Sequence, residues 1–279
     1  MSALTVHDHS RDAVGYTYVY PVVSRRAGGV SVGINLNPNN ACNWACIYCQ
    51  VPGLVRGNAP PIDLALLEKE LRAFLTEVVH GDWLTQNAPE GARALQDIAF
   101  SGNGEPTSAR EFPQAVLLVG RLLGEFGLLQ KIKIRLITNG SLMHRKPVLD
   151  AVSTLSTMNG EVWFKIDRAT PKGMAMINQV TGNMAGVKRR LRACAVRCPT
   201  WVQTCWFNLD GAPLAAEELS AYLDLIRDMR DMIAGVHLYG LARQPMQPGA
   251  ERLSAMPAEV LAAYGEEIGK LGVQVNVSP

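Results

Sequence analysis

Charge is scarce in this chain of 279 residues, at 19% of the total, and neither sign prevails: the net charge is +2. Such a balance excludes a strong electrostatic pull toward nucleic acid or an anionic membrane, and leaves room only for a local patch. Long apolar runs are also lacking. Ala27–Val55 carries no formal charge over 29 residues. It is broken by Asn35, Asn37, Asn39, Asn40, Asn43, Pro38 and Pro52, whereas a membrane span needs about 20 mainly apolar residues. The start, through Asp12, has no basic flank followed by an apolar core, so no signal peptide is expected and a cytoplasmic location is. Internal repeats, low-complexity tracts and an evident linker are missing. The expectation is one core domain over 1–279, with a short N-terminal extension over about 1–28. An apolar content of 48% excludes a disordered or collagen-like chain. The length suffices for a substantial core without disulfides.

What the sequence does have is alternation. Short β-rich runs occur at Val30–Leu36, Asp97–Ser101, Lys131–Thr138, Glu161–Ile166, Thr200–Phe207, Val236–Leu241 and Val273–Val277. Helical spacing fills the gaps. Leu64, Leu67, Leu71, Phe74 and Val78 share one face behind a candidate N-cap, Asp63. Glu217 and Glu218 sit in the first turn of another helix, where negative charge suits the dipole. A last helix over Pro257–Leu271 should stop at Gly272. Strand–helix alternation implies parallel strands with right-handed crossovers, so the chain is α/β. Six units and a terminal strand fit an incomplete or complete (β/α) barrel, with a doubly wound sheet as the alternative. Either architecture puts chemistry at the C-terminal ends of strands.

Six cysteines are present, and in a reducing cytosol clustered cysteines point to metal or redox chemistry. Cys42, Cys46 and Cys49 form C-x3-C-x2-C directly after the first run. Three such thiolates can bind one iron–sulfur cube or contribute to a zinc site. Three ligands also leave one cluster iron open to a small molecule. Gly102-Asn103-Gly104-Glu105-Pro106 follows the second run, Thr138-Asn139-Gly140 the third, and Asp167 the fourth. Taken alone, the first of these is a glycine-rich turn before a helix, and Asp167 is equally a surface ion-pair partner.

The cysteine motif, with the aromatic Tyr48 before its third cysteine, resembles the cluster loop of the radical S-adenosylmethionine (SAM) superfamily. The resemblance implies a partial (β/α)6 barrel of parallel strands. It implies a [4Fe-4S] cluster on Cys42, Cys46 and Cys49, with SAM chelating the fourth iron. Reductive cleavage of SAM then yields a 5′-deoxyadenosyl radical that abstracts hydrogen from a substrate. Gly102–Glu105 resembles the family's Gly-Gly-Glu-Pro motif with Asn103 inserted, and Glu105 is expected to accept from the SAM ammonium group. Thr138 and Asn139 resemble its Thr-Asn-Gly turn. Tyr48, Asp167, Gln203 and Leu241 complete the expected SAM-contacting set. Tyr20–Arg26, Gly33–Pro38 and the pair Ile177-Asn178 resemble the wyosine-synthase-like branch. The expected enzyme is oxygen-sensitive, an oxidoreductase or transferase, fed by an electron donor of the flavodoxin or ferredoxin type.

Two features depart from wyosine synthases. No cysteine precedes Cys42, so the second cluster of those enzymes has no ligands, and the net charge is small for a tRNA enzyme. Lys188, Arg189, Arg190, Arg192 and Arg197 form one basic group and Lys131, Lys133 and Arg135 another. Surface solvation is the simpler account of both, since no aromatic platform accompanies them. A small-molecule or peptide substrate is therefore expected ahead of tRNA. The alternatives are a tRNA base-modifying enzyme and a non-catalytic iron–sulfur or zinc protein. Cys194, Cys198 and Cys205 invite a second cluster, but Cys205 shares a strand face with Gln203, and a barrel wall would part it from the helical pair. Cys205 is instead a candidate catalytic contact, as hydrogen donor, inside the barrel.

Overall fold

The computed structural model describes residues 15–24 and 28–279. Arg25, Arg26, Ala27 and most of the expected N-terminal extension lie outside them. Eight strands form one curled, open sheet in sequential order. They are β1 (Val19–Ser24), β2 (Gly29–Ile34), β3 (Leu95–Phe100) and β4 (Lys133–Thr138). After these come β5 (Gly160–Lys165), β6 (Thr200–Cys205), β7 (Gly235–Tyr239) and β8 (Val275–Ser278). Every neighbouring pair is parallel except β1 and β2. The crossovers from β2 onward carry α1 (Leu64–His80), α2 (Phe112–Glu125) and α3 (Lys146–Ser156). They continue with α4 (Met184–Ala195), α5 (Ala216–Met229) and α6 (Ala258–Gly269). Sequential strand order excludes the doubly wound alternative, in which the order reverses. This is a partial barrel, as expected.

Period-two alternation decides which side each residue serves. Val32, Ile98, Ile134, Leu136, Val162, Phe164, Val202 and Leu238 belong to the apolar layer between sheet and helices. The intervening residues Ser31, Asp97, Arg135, Trp163, Lys165, Gln203, Cys205 and Tyr239 line the interior cavity. The outer layer is a continuous hydrophobic core; the inner face is polar. Asp63 caps α1, accepting from Leu66 N–H at 2.9 Å, and the turn after α6 ends on Gly272 at φ +83°. The segment expected as an extension supplies the edge strand β1. Its entry is fastened by the buried Glu70 of α1, which accepts from the backbone N–H groups of Thr17 and Tyr18 at 2.8 Å.

The floor of the barrel carries a buried ionic layer. Arg135 pairs with Asp97, which also accepts from Ser31. Its Nε donates to Glu161 at 2.7 Å, and Trp163 donates to the same carboxylate at 2.9 Å. Lys133 lies 3.8 Å from Glu161. Arg135 of the second basic group is thus an internal counter-ion, which corrects its reading as part of a solvated face, whereas the Lys133 side chain is 40% exposed.

Candidate active site

The cysteine loop lies across the C-terminal rim of the barrel. Cys42, Cys46 and Cys49 are half-buried and line one cavity of about 990 Å3 together with the inward strand residues. Burial pushes the Cys42 thiol up to about 11 and that of Cys46 to about 12. Thiols that resist ionisation need a bound cation to be held as thiolates. Two donors already point at the sulfurs: Trp44 N–H at 3.5 Å from Cys42 and the Asn178 amide at 3.3 Å from Cys46. Such bonds orient and tune a metal-bound thiolate.

Glu105 is buried and takes four protein donors. Thr107 N–H, Thr107 hydroxyl and Thr138 hydroxyl reach one oxygen at 3.1, 2.5 and 2.7 Å; Asn139 N–H reaches the other at 2.7 Å. Burial raises its pKa against these bonds. Its carboxylate therefore clamps the loop after β3 to the turn after β4. That role was not foreseen beside the expected contact to SAM. Gly102 and Gly104 make a close approach, but to protein. A Cβ at Gly102 would lie 2.8 Å from Cα of Asn35, and one at Gly104 2.7 Å from Cγ of Asn37. Asn103 donates to Asn40 at 2.6 Å, while its buried Oδ1, in the cavity wall, has no partner. Asn139 donates to Asn43 of the cysteine loop at 2.8 Å, and Thr138 faces Glu105.

Asp167 is buried, with 1% exposure, and is not a surface ion-pair partner. It accepts from Tyr48 hydroxyl at 2.6 Å, the Asn178 amide at 2.8 Å and Cys205 N–H at 3.0 Å. These bonds use it as a strut between cysteine loop and barrel, and Asp167, expected in the SAM-contacting set, is not among the residues lining the cavity. Tyr48 lines the cavity, its hydroxyl turned to Asp167. Asn178 ends a single π-helical turn, Met174–Asn178, a form that favours functional sites. That turn holds the loop through its backbone: Ile47 N–H donates to Ile177 at 2.9 Å and Ala45 N–H to Asn178 at 3.3 Å. Glu218, expected to act on a helix dipole, is buried and accepts from Ala169 and Thr170 N–H. It anchors the segment that follows Asp167.

Gln203 and Cys205 face the cavity together, as alternation predicts, and Gln203 Oε1 is buried without a partner. Cys205 packs with Ile47, Tyr48, Ile177 and Phe207, and burial lifts its thiol to about 12. Cys194 and Cys198 lie in the outer core, bonded to Thr200 and to the Gly160 carbonyl, both at 3.4 Å. The sheet stands between them and Cys205. Leu241 reaches the rim, and the segment behind it clasps the loop: Met246 N–H donates to Cys49 at 2.9 Å, and Gln247 to Val51 at 2.6 Å.

Sequence reasoning missed Lys165 as a cavity residue. Its ammonium sits 5.0 Å above the Tyr48 ring. Burial works to lower its pKa, but Tyr239, Asp167, Cys46 and Cys205 outweigh this and hold it raised. The signal was available: Lys165 is two residues from Trp163 and pairs in register with Gln203, so all three share the inner face.

Three cysteines on one loop are a donor set that can hold an iron–sulfur cluster or contribute to a zinc site. Among the described residues no three His, Cys, Asp or Glu side chains converge closely enough to ligate one metal ion. A four-iron cube separates its cysteine sulfurs more widely than zinc does. Asn103 and Gln203, each with a buried acceptor oxygen that lacks a partner, are among the residues lining the cavity, which is large enough for a cofactor-sized molecule.

In fold the chain resembles solved structures that include a radical SAM enzyme. The chain is similar to TYW1 with a lysine-pyruvate adduct bound, at a TM-score of 0.55 and 12% identity, over 88% of this chain and 74% of that one. It is similar to a radical SAM methyltransferase from Sphaerobacter thermophilus at 0.57 and 14%, over 93% and 68%. A third likeness is anSMEcpe with bound AdoMet and a Cp18Cys peptide, at 0.54 and 16%, over 88% and 62%. Enzymes of several branches score alike, so the likeness establishes the fold without selecting a branch. No family model matches the sequence. One curated protein, GTPase Obg of Brachyspira hyodysenteriae, is 28% identical over 129 residues. The matched stretch is 45% of this chain and only 16% of that protein.

Proposed function

We propose that the protein is a radical SAM enzyme, cytoplasmic and oxygen-sensitive, acting on a small molecule or peptide. The carrying observation is the set of three half-buried thiols on the rim of a partial barrel, in a cavity with unpartnered acceptors. Cys42, Cys46 and Cys49 would hold a [4Fe-4S] cluster whose open iron takes SAM, and with both bound one electron supplies reductive cleavage of SAM. The chain's own residues do the positioning. Asn178 and the Trp44 N–H orient two of the sulfurs, and Glu105 keeps the loops after β3 and β4 at a fixed distance. Gln203 and Asn103 offer acceptors to a bound ligand. Cys205 stays a neutral thiol and is the candidate hydrogen donor or contact at the substrate. Whether the reaction is an oxidoreduction or a transfer depends on that substrate.

The test is anaerobic reconstitution with iron and sulfide, then SAM and dithionite. Formation of 5′-deoxyadenosine, with about four irons per chain, is expected. Cys46→Ala should lose the brown chromophore and SAM cleavage together, while replacing Cys194 and Cys198 leaves the iron count unchanged. A full cluster spectrum in Cys46→Ala would refute the assignment.

A further inference from the structure

Asn178 is buried where the π-helical turn meets the cysteine loop. Its side-chain nitrogen makes two bonds, one to Asp167 Oδ2 at 2.8 Å and one to Cys46 Sγ at 3.3 Å. The partners decide which end of the amide faces the sulfur. A carboxylate offers only acceptors, so the NH2 end turns to Asp167, and its second N–H then meets Cys46. Asp167 is fixed in turn: Cys205 N–H donates to its Oδ1 at 3.0 Å and the Tyr48 hydroxyl to its Oδ2 at 2.6 Å. Asp167 and Asn178 are both 1% exposed, and away from water such bonds are electrostatically stronger. The Trp44 N–H at Cys42 belongs to the loop itself, whereas Asn178 reaches Cys46 across 132 positions of sequence. The backbone of the turn already holds the loop, through Ala45 N–H and Ile47 N–H. The side-chain bond to the sulfur therefore adds something other than fastening.

We propose that Asn178, oriented by Asp167, sets the reduction potential of the cluster carried by the cysteine loop. This inference rests on the reading of Cys42, Cys46 and Cys49 as cluster ligands. One added electron makes the cysteine sulfurs of a cluster more negative. An N–H aimed at a sulfur stabilises that charge, so it raises the potential. Burial works the other way, because a poorly solvated site penalises added charge. Asn178 offsets that penalty at Cys46. Asp167 is a positioning residue: it acts through the amide and has no bond to a loop sulfur among the described residues. Its own negative charge would lower the potential. With Asn178 interposed, the sulfur meets an N–H instead, and the cluster stays reducible, as cleavage of SAM requires.

The experiment is an anaerobic redox titration of each reconstituted protein with mediator dyes, following the reduced cluster by electron paramagnetic resonance. Asn178→Leu is close to asparagine in shape and removes the N–H. Its reduced-to-oxidised ratio at a fixed solution potential should fall about tenfold, which is about 59 mV for one electron. Tyr48→Phe removes a bond from the same strut but leaves Asp167 to hold the amide, so its potential should match wild type. Asp167→Asn discriminates by sign. Its oxygen must stay on Cys205 N–H, its NH2 then faces Asn178, and the Asn178 amide turns over and withdraws its N–H from Cys46. The potential should fall, although loss of a negative charge alone would raise it. This variant, almost identical in shape, also carries the test if Asn178→Leu holds no iron. An unchanged potential in Asn178→Leu, an equal fall in Tyr48→Phe or a raised potential in Asp167→Asn would overturn the proposal. Absence of a cluster in the wild type would instead sink the reading of the cysteines.

Discussion

Glu105 shows how much a single carboxylate can organise. It joins two loops that start on different strands, and all four of its donors come from protein. Glu105→Gln replaces one acceptor oxygen by an NH2 group that must face a backbone N–H or a hydroxyl. An unsatisfied buried donor costs about 1–3 kcal/mol. We expect the apoprotein to melt several degrees lower and to bind SAM more weakly, with iron content unchanged, since Glu105 bonds to no cysteine. Calorimetry and SAM titration of the reconstituted variant check this; lost iron would show that the loop clamp also supports the cluster. Asp167 works similarly two strands later. A sequence shows that both residues are acidic and follow strands. It does not show that their partners come from Tyr48, Asn178, Thr138 and Asn139, because those bonds join residues up to 119 positions apart.

At the scale of elements, the cysteine loop has little regular structure of its own and is held from four sides. The Asn35–Asn37 stretch, the Asn139 turn, the π-helical turn and the segment around Met246 each bond to it or its entry. Gly104 allows the first of these contacts. Gly104→Ala puts a Cβ against the Ala41 carbonyl and Asn37, so the loop must move. Overpacking of this kind costs about 1–3 kcal/mol. The expected result is a fall in melting temperature of about 2–4 °C per kcal/mol and slower cluster reconstitution. An unchanged melt with normal reconstitution would mean that the loop has slack. Gly102 and Gly104, in the motif expected to contact SAM, also make room for another stretch of the chain.

For the whole molecule, the curled sheet separates an apolar outer layer from a polar interior. The floor of that interior depends on Arg135, whose side chain is 14% exposed, set between Asp97 and Glu161. Arg135→Met should destabilise the protein by about 3–5 kcal/mol, because it leaves carboxylates buried without their cation. Adding Asp97→Asn should restore part of the loss. Urea melts of the two single variants and the double variant test this as a cycle. Additive losses would show that Asp97 and Arg135 are not coupled.

Strand–helix alternation, the cysteine spacing and the motifs at strand ends were all legible in the sequence, because each is a local pattern with a local physical cause. That Gln203 and Cys205 share one face of β6 could be read from parity, and both line the cavity. Other assignments needed the curvature of the sheet. Whether Arg135 meets solvent or Asp97, and whether Asp167 meets a surface cation or Tyr48, depends on residues far apart in the chain arriving at one point. The edge strand β1 belongs with these, since its pairing with β2 and its anchor on Glu70 are tertiary contacts. Local sequence determines the period and type of each element. Only the packed barrel decides which charges it buries, since burial is a property of what surrounds a side chain, not of the side chain itself.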